Sequence, residues 1–279
     1  MGSLLALVSS LLWGTADYLA GNLSKRYKAI AVTAISQLFG LAFGLLAIFL
    51  FADFMKPNLS MSGYFIPGVI AGVAGFVGLV AFYTGLATGR MGVVSPISSL
   101  SVLIPLLLAL ARGERPSALE SVGISIAIAG AFMASGPEVR DGLPIKPLLL
   151  AVVASIGFGL ALTFIAIGSE TDSLHTMTSM RVASVSICVL LAFRYRSLGG
   201  IPIRQIPLLI LIGVADFLAN FFLGVATTKG LVSIAMALGS LFPIVTILLA
   251  YKFLHERLAK VQYLGIAFAL SGVLLIAAS

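Results

Sequence analysis

The sequence predicts an all-α membrane protein with ten transmembrane helices, built as two inverted five-helix repeats. Three observations lead there. The first is composition: of 279 residues, 60% are hydrophobic and only 10% are charged, with a mean hydropathy of +1.15. A soluble domain carries about 25% charged residues, so this chain lacks the polar surface to face water. The second is that its apolar runs are continuous rather than alternating, which suits helices and not a barrel. The third is a stretch that occurs twice. Residues 82–136 align with 221–279: Phe82 meets Phe221, Gly85 meets Gly224, Thr88 meets Thr227, Arg90 meets Lys229 and Pro105 meets Pro243. Glu114-Arg115 then meets Glu256-Arg257, Gly123 meets Gly265, and Gly130 meets Gly272. The first copy is four residues shorter between proline and glutamate, about one helical turn, so the helical faces stay nearly in phase. Internal repeats in a very apolar chain are a recurring mark of secondary transporters.

The expected helices run over 3–22, 29–51, 63–87, 91–111, 117–136, 148–168, 176–194, 206–227, 231–253 and 260–278. Turn and charge signals separate them: Ser24-Lys25-Arg26, Lys56-Pro57-Asn58, Gly89-Arg90, Gly113-Glu114-Arg115-Pro116, Arg194 to Pro202, Lys229-Gly230 and His255-Glu256-Arg257. Residues 137–147, with Pro137, Gly142, Pro144 and Pro147, form the most helix-breaking stretch and divide the chain into repeats 1–136 and 148–279. Five spans per half turn the second half over, so a substrate site is expected near the midplane between the halves. The first helices of the halves correspond as well. SSLLWGTAD (9–17) lies over ASIGFGLAL (154–162), with Trp13-Gly14 on Phe158-Gly159 and Leu162 where the first half has Asp17.

The net charge of +7 comes from basic residues at span ends, where they set topology and touch lipid headgroups, and does not imply a nucleic-acid partner. The single Cys188 excludes an internal disulfide and a cysteine-cluster metal site. No basic region precedes the first apolar run, so a cleaved signal peptide is not expected. Twelve Lys and Arg residues fall in the connections after odd-numbered spans and four after even-numbered ones, which by the positive-inside rule puts both termini outside the cytoplasm.

The LLWG of the first helix, the FYTGLATG and VVSPISSLSVLIP runs, GERPS, HERL and the paired glycines resemble the drug/metabolite transporter superfamily, in its EamA-type ten-helix branch. The resemblance covers nearly the whole chain. It implies a carrier of small metabolites with a cavity between the halves, often coupled to protons or working by exchange, in a cell membrane. It also implies the opposite orientation, with the termini in the cytoplasm.

Three ionisable residues fall well inside spans: Asp17, Arg181 and Asp216. Each would cost roughly 2.5–3.5 kcal/mol facing lipid at a helix centre, so each should face the bundle or water. Asp216 is the deepest and shares a small, polar face with Gly213, Asn220 and Gly224. It is the candidate for carrying a coupling proton. The alternative is a structural acid hydrogen-bonded to Asn220 and a neighbouring helix. Asp17 has Trp13 one turn earlier, a carboxylate beside an aromatic ring, which suits a cationic group. The alternative there is an interfacial Trp and a snorkelling Asp. Arg181 could bind a substrate carboxylate or phosphate, or neutralise Asp17 or Asp216, since an unpaired Arg is hard to bury.

Tyr83, Asn220, Ser99 and Ser240 complete the candidate substrate contacts, with Ser36 and Gln37 of the second span behind them. Pro105 and Pro243 would each free a carbonyl one turn earlier, within reach of the serines before them. Glu114 and Glu256 read as boundary and capping residues, and Ser117 with Glu120 as a capping box. The function that fits is a secondary active transporter of a small polar metabolite, an amine or amino acid, working by alternating access with possible use of protons. A multidrug or cation exporter of the same fold is the alternative. An intramembrane protease would need a GxSG serine and a histidine within a span, but His175 and His255 sit at span ends. Nothing resembles a channel's carbonyl filter. No cofactor or metal is expected. The expected partners are a small molecule, protons and the bilayer, with the chain a monomer or homodimer.

Overall fold

The structure, a computed structural model, describes residues 1–88, 94, 97–134, 145–195, 200–254 and 259–279. Most of these residues are helical, and there is no strand among them. Helices α1 (Gly2–Ser24), α2 (Ala29–Phe51) and α3 (Phe65–Thr88) are followed by a 3₁₀ turn at Leu100–Val102 that runs into α4 (Leu103–Ala111). Then come α5 (Ala118–Ala134), α6 (Ile145–Ser169), α7 (Ser173–Tyr195) and α8 (Ile206–Thr228). The chain closes with α9 (Val232–Gly239), α10 (Phe242–Leu254) and α11 (Lys260–Ala277). Among the described residues, seven helical stretches are long and apolar enough to cross a bilayer: α1, α2, α3, α6, Ser173–Phe193, Ile203–Thr228 and Val232–Phe253. Ile97–Ala111, Ala118–Ala134 and Lys260–Ile276 are shorter apolar helices. This is a multi-pass membrane protein.

The expected ninth helix is broken. Its backbone stops at Gly239, turns through Ser240 and Leu241, and restarts at Phe242. Pro243 explains the restart. Proline has no N–H to give and its ring crowds the preceding turn, so it is tolerated in a first helical turn and not in an interior. Pro105 sits likewise in the first turn of α4, after the 3₁₀ turn. Local signals read in the sequence hold at α5: Glu120 N–H donates to Ser117 Oγ at 3.2 Å, and Ser117 N–H to Glu120 Oε2 at 2.6 Å.

The two halves of the chain interleave rather than sit side by side. α1 packs on α8 and α10, α3 on α6 and α7, and α2 on α7 and α8. α5 and α11 pair with each other, where Gly123 and Gly130 meet Gly272, Gly265 and Ala269 at backbone distance, a small-residue crossing of the kind membranes favour. Leu38, Leu46, Phe49, Leu190, Leu211 and Leu274 stand exposed on the outside. Such a surface is a liability in water and suits lipid. Gly2 packs on Ala226 and Lys229, Thr171 Oγ1 donates to Ser62 O, Arg112, Glu114, Glu170 and Val232 border one pocket, and Gly123 meets Ile276, which gathers both termini, the 52–64 segment, 112–117 and 229–231 at one end of the bundle. There Glu114, expected as a boundary residue, accepts the N–H groups of Val232 at 2.7 Å and Ser233 at 3.0 Å. It caps the start of α9, a helix from the other half. Glu256, its counterpart in the repeat, lies outside the described residues.

Candidate functional site

The buried acids and the arginine are brought together by close helix crossings. Gly213 makes one of them: a methyl group there would overlap the backbone oxygen of Ser36. That closeness lets α2 place Gln37 beside Asp216 of α8. Gly14 makes another, since a methyl there would come within 2.5 Å of Phe242 O and Val245 Cβ. α1 is thereby pressed on α10, where Thr246 Oγ1 donates to Gly14 O at 3.1 Å and Trp13 meets Phe242 edge-on, with ring centroids 6.3 Å apart.

Asp216 is surrounded by donors. Trp13 Nε1 donates to its Oδ1 at 3.2 Å and Asn220 Nδ2 to the same oxygen at 3.1 Å. Gln37 Nε2 donates to Oδ2 at 3.0 Å, and Arg181 Nη2 lies 2.9 Å from that oxygen. The Arg181 contact is one of charge, because its angle is not that of a hydrogen bond. Arg181 spends its Nη1 on Gln37 Oε1 at 2.6 Å, which also accepts from Ser184 Oγ at 3.0 Å. Gln37 therefore bridges acid and base, its amide nitrogen on one and its oxygen on the other. The Arg181 guanidinium also lies 6.0 Å from the centroid of the Phe217 ring. A buried arginine needs this much company.

Asp17 has much less. Among the described residues its one hydrogen-bond donor is the Tyr83 hydroxyl, 3.2 Å from Oδ1, and no cation pairs with it. Both acids open on one cavity of about 530 Å³, open space at its mouth included. The centres of water-sized molecules can occupy about 60 Å³ of it, which leaves room for a compact ligand. Trp13 and Asp17 of α1, Gly75 and Leu79 of α3, Met180 and Arg181 of α7, Asp216 and Asn220 of α8 and Phe242 of α10 line it. Ser101 and four residues of α6 complete the wall: Phe158, Ala161, Leu162 and Ile165.

Of the residues the sequence singled out, Trp13, Asp17, Arg181, Asp216 and Asn220 stand on this wall. Arg181 faces Asp216, one of the two partners open to it. Trp13, expected to act with Asp17, gives its N–H to Asp216 instead. Tyr83 is buried behind Asp17. Ser99 is buried and off the described cavity wall. Ser240 donates to Ala237 O at 2.7 Å and borders a smaller neighbouring cavity. Sequence reasoning did not assign Phe158, Leu162, Ser101 or Phe242 to the site. The signal for two of them was in the repeat. Phe158 corresponds to Trp13 and Leu162 to Asp17, and all four line the cavity. Neither α5 nor α11 contributes a described lining residue. Among the described residues no group of three His, Cys, Asp or Glu side chains could hold a metal.

Comparison with known proteins bears on the fold and the family. An uncharacterized protein of Methanocaldococcus jannaschii is 24% identical over 132 residues, 47% of this chain and 96% of that protein. One solved crystal structure superposes with a TM-score of 0.77 at 16% identity, over 98% of this chain and 94% of that one, a likeness of fold. The sequence profile of the EamA-like transporter family matches twice, over residues 1–136 and 145–278. With both halves of the chain matched, the protein belongs to the EamA-like transporter family.

Proposed function

We propose that this protein is a secondary active transporter that moves a small polar metabolite across a cell membrane by alternating access. The observation that carries this reading is the cavity. It is lined from both halves of the chain, it holds three ionisable side chains within membrane spans, and such residues mark substrate and ion pathways. In this reading the ten helical stretches form two inverted repeats, 1–136 and 148–279, joined by a linker over 137–147. The doubled family match and a relative about half as long support that division. The 3₁₀ turn before α4 and the break between α9 and α10 both reach the cavity, through Ser101 and Phe242. Discontinuous helices at a repeat interface are the parts that transporters of this general kind use for binding and gating.

The coupling proton belongs on Asp17 rather than Asp216. Protonating Asp216 would leave Arg181 buried without its counter-charge, whereas Asp17 has no cation to strand. Glu114 holds the start of α9 closed at the end of the bundle that bears the termini, and releasing that cap is the movement that would open the cavity there. The partners in this scheme are a small molecule, protons and the bilayer, with the chain acting as a monomer or homodimer.

The test is counterflow with the purified protein in proteoliposomes, using a panel of amines, amino acids, nucleosides and sugar phosphates. Saturable exchange of at least one class is expected, with loss of pH-driven accumulation in Asp17→Asn. Uptake that neither saturates nor exchanges would contradict a carrier.

A further inference from the structure

We infer that the cavity selects a monovalent organic amine with an apolar body, held by its ammonium at Asp17, and discriminates against amino acids and carboxylates. This deepens the transporter reading and rests on it. The argument is a count of charges and donors around one cavity. Asp216 and Arg181 cancel at 2.9 Å. Asp17 remains, so the ionised cavity carries one net negative charge, and an ammonium brings it to neutrality. Among the described residues Asp17 has one donor, on Oδ1, which leaves Oδ2 available to accept from a ligand N–H.

An anionic group would find no comparable partner. Arg181 is the only cationic side chain on the described wall, and its charge is already matched. Its Nη1 is used by Gln37 and its Nη2 lies against Asp216. Its Nε has no hydrogen-bond partner but points at α2: a methyl on Gly40 would stand 3.3 Å from it. A substrate carboxylate would therefore enter beside two acids with no unmatched positive charge to meet it, and like charges so placed repel. An amino acid would gain at Asp17 and lose at its own carboxylate.

The rest of the wall describes the body of the ligand. Leu79, Leu162, Ile165 and Met180 are apolar, and Trp13, Phe158 and Phe242 are aromatic. Aromatic faces attract an ammonium as well as hydrocarbon. The Trp13 indole N–H is committed to Asp216, which fixes the ring as a wall. Of the neutral polar side chains on the described wall, Asn220 gives its Nδ2 to Asp216, leaving its Oδ1 and Ser101 as the groups that could serve a hydroxyl-rich ligand such as a sugar, too few for a ligand of that kind. Tyr83 acts on the ligand through Asp17, as a positioning residue.

The test uses three molecules that share a ring and differ in charge: 2-phenylethylamine, L-phenylalanine and 3-phenylpropionate. Binding to the full-length protein in lipid nanodiscs is measured by calorimetry, with melting recorded for each variant. The amine should bind, the amino acid at least tenfold more weakly, and the carboxylate more weakly still. Asp17→Asn should weaken amine binding roughly 10–100-fold while melting near the parent, and Asp17→Glu should keep most of it. The inference is overturned if the amine does not bind, if phenylalanine or phenylpropionate binds as tightly, or if Asp17→Asn binds the amine unchanged. The transporter reading fails separately. Amine binding without counterflow would sink the carrier and leave this site standing. Counterflow of an amino acid with no amine binding would do the reverse.

Discussion

Asp17 and Asp216 look alike by every measure except company. Both lie on membrane-spanning helices, both are almost fully buried at 8% and 7% exposure, and both open on the same cavity. Asp216 receives three side-chain hydrogen bonds and an arginine, whereas Asp17 receives one hydroxyl. Burial on a membrane-spanning helix thus does not set the two acids apart; their partners do. A carboxylate can accept about four hydrogen bonds, and one that is nearly saturated belongs to the scaffold. One with a vacant oxygen facing a cavity is available for a ligand or a proton.

The sharpest way to break this comparison is to remove the Asp216 carboxylate. Asp216→Ala leaves Arg181 buried without a counter-charge and should cost about 3–5 kcal/mol, seen as a large fall in melting temperature or loss of the folded peak on gel filtration. Arg181→Met placed on top of it should restore part of the loss, since a neutral replacement of a buried pair is often tolerated. A double variant that is no better than the single would deny that the pair is structural.

A smaller effect is expected one residue out. Trp13→Phe keeps a ring against Phe242 and removes the N–H that Asp216 accepts. Hydrogen bonds between membrane helices are worth about 0.6–1.7 kcal/mol, so melting should drop slightly while an amine still binds. If Trp13→Phe abolishes binding with melting unchanged, the indole N–H serves the ligand and not Asp216.

A change in stability of similar size is expected at Glu114, far from both acids. Glu114→Ala removes a helix cap worth about 0.5–2 kcal/mol. Its informative readout is access. In a Cys188→Ser background, a cysteine at Ala161 should react faster with an impermeant thiol reagent added from the side of the termini once Glu114 is gone. An unchanged rate would show that this cap does not close the cavity.

What could be read from sequence follows the range of the interactions. The capping box at Ser117 and Glu120 spans three residues and was legible in full. The three ionisable residues were legible because charge within an apolar span is conspicuous. Their pairing was not, since Trp13 and Gln37 lie 203 and 179 positions from Asp216 and only the crossings at Gly14 and Gly213 bring them there. Proximity along α1 pointed to Trp13 and Asp17 as partners, and tertiary packing gave the indole to the other acid. Glu114 was recognisable as a cap, but its helix lies 118 positions onward. The repeat carried more than was taken from it. Its correspondence of Phe158 with Trp13 and Leu162 with Asp17 already marked two further cavity residues.

The division of labour between the acids is tested most directly by melting Asp17→Asn and Asp216→Asn side by side in the same lipid, without ligand. Asp216→Asn should melt well below the parent because Arg181 loses its counter-charge, and Asp17→Asn should melt near or above the parent because it strands no cation and replaces a poorly partnered buried acid. Equal losses, or a larger loss in Asp17→Asn, would contradict the assignment of Asp216 to the scaffold and Asp17 to the ligand.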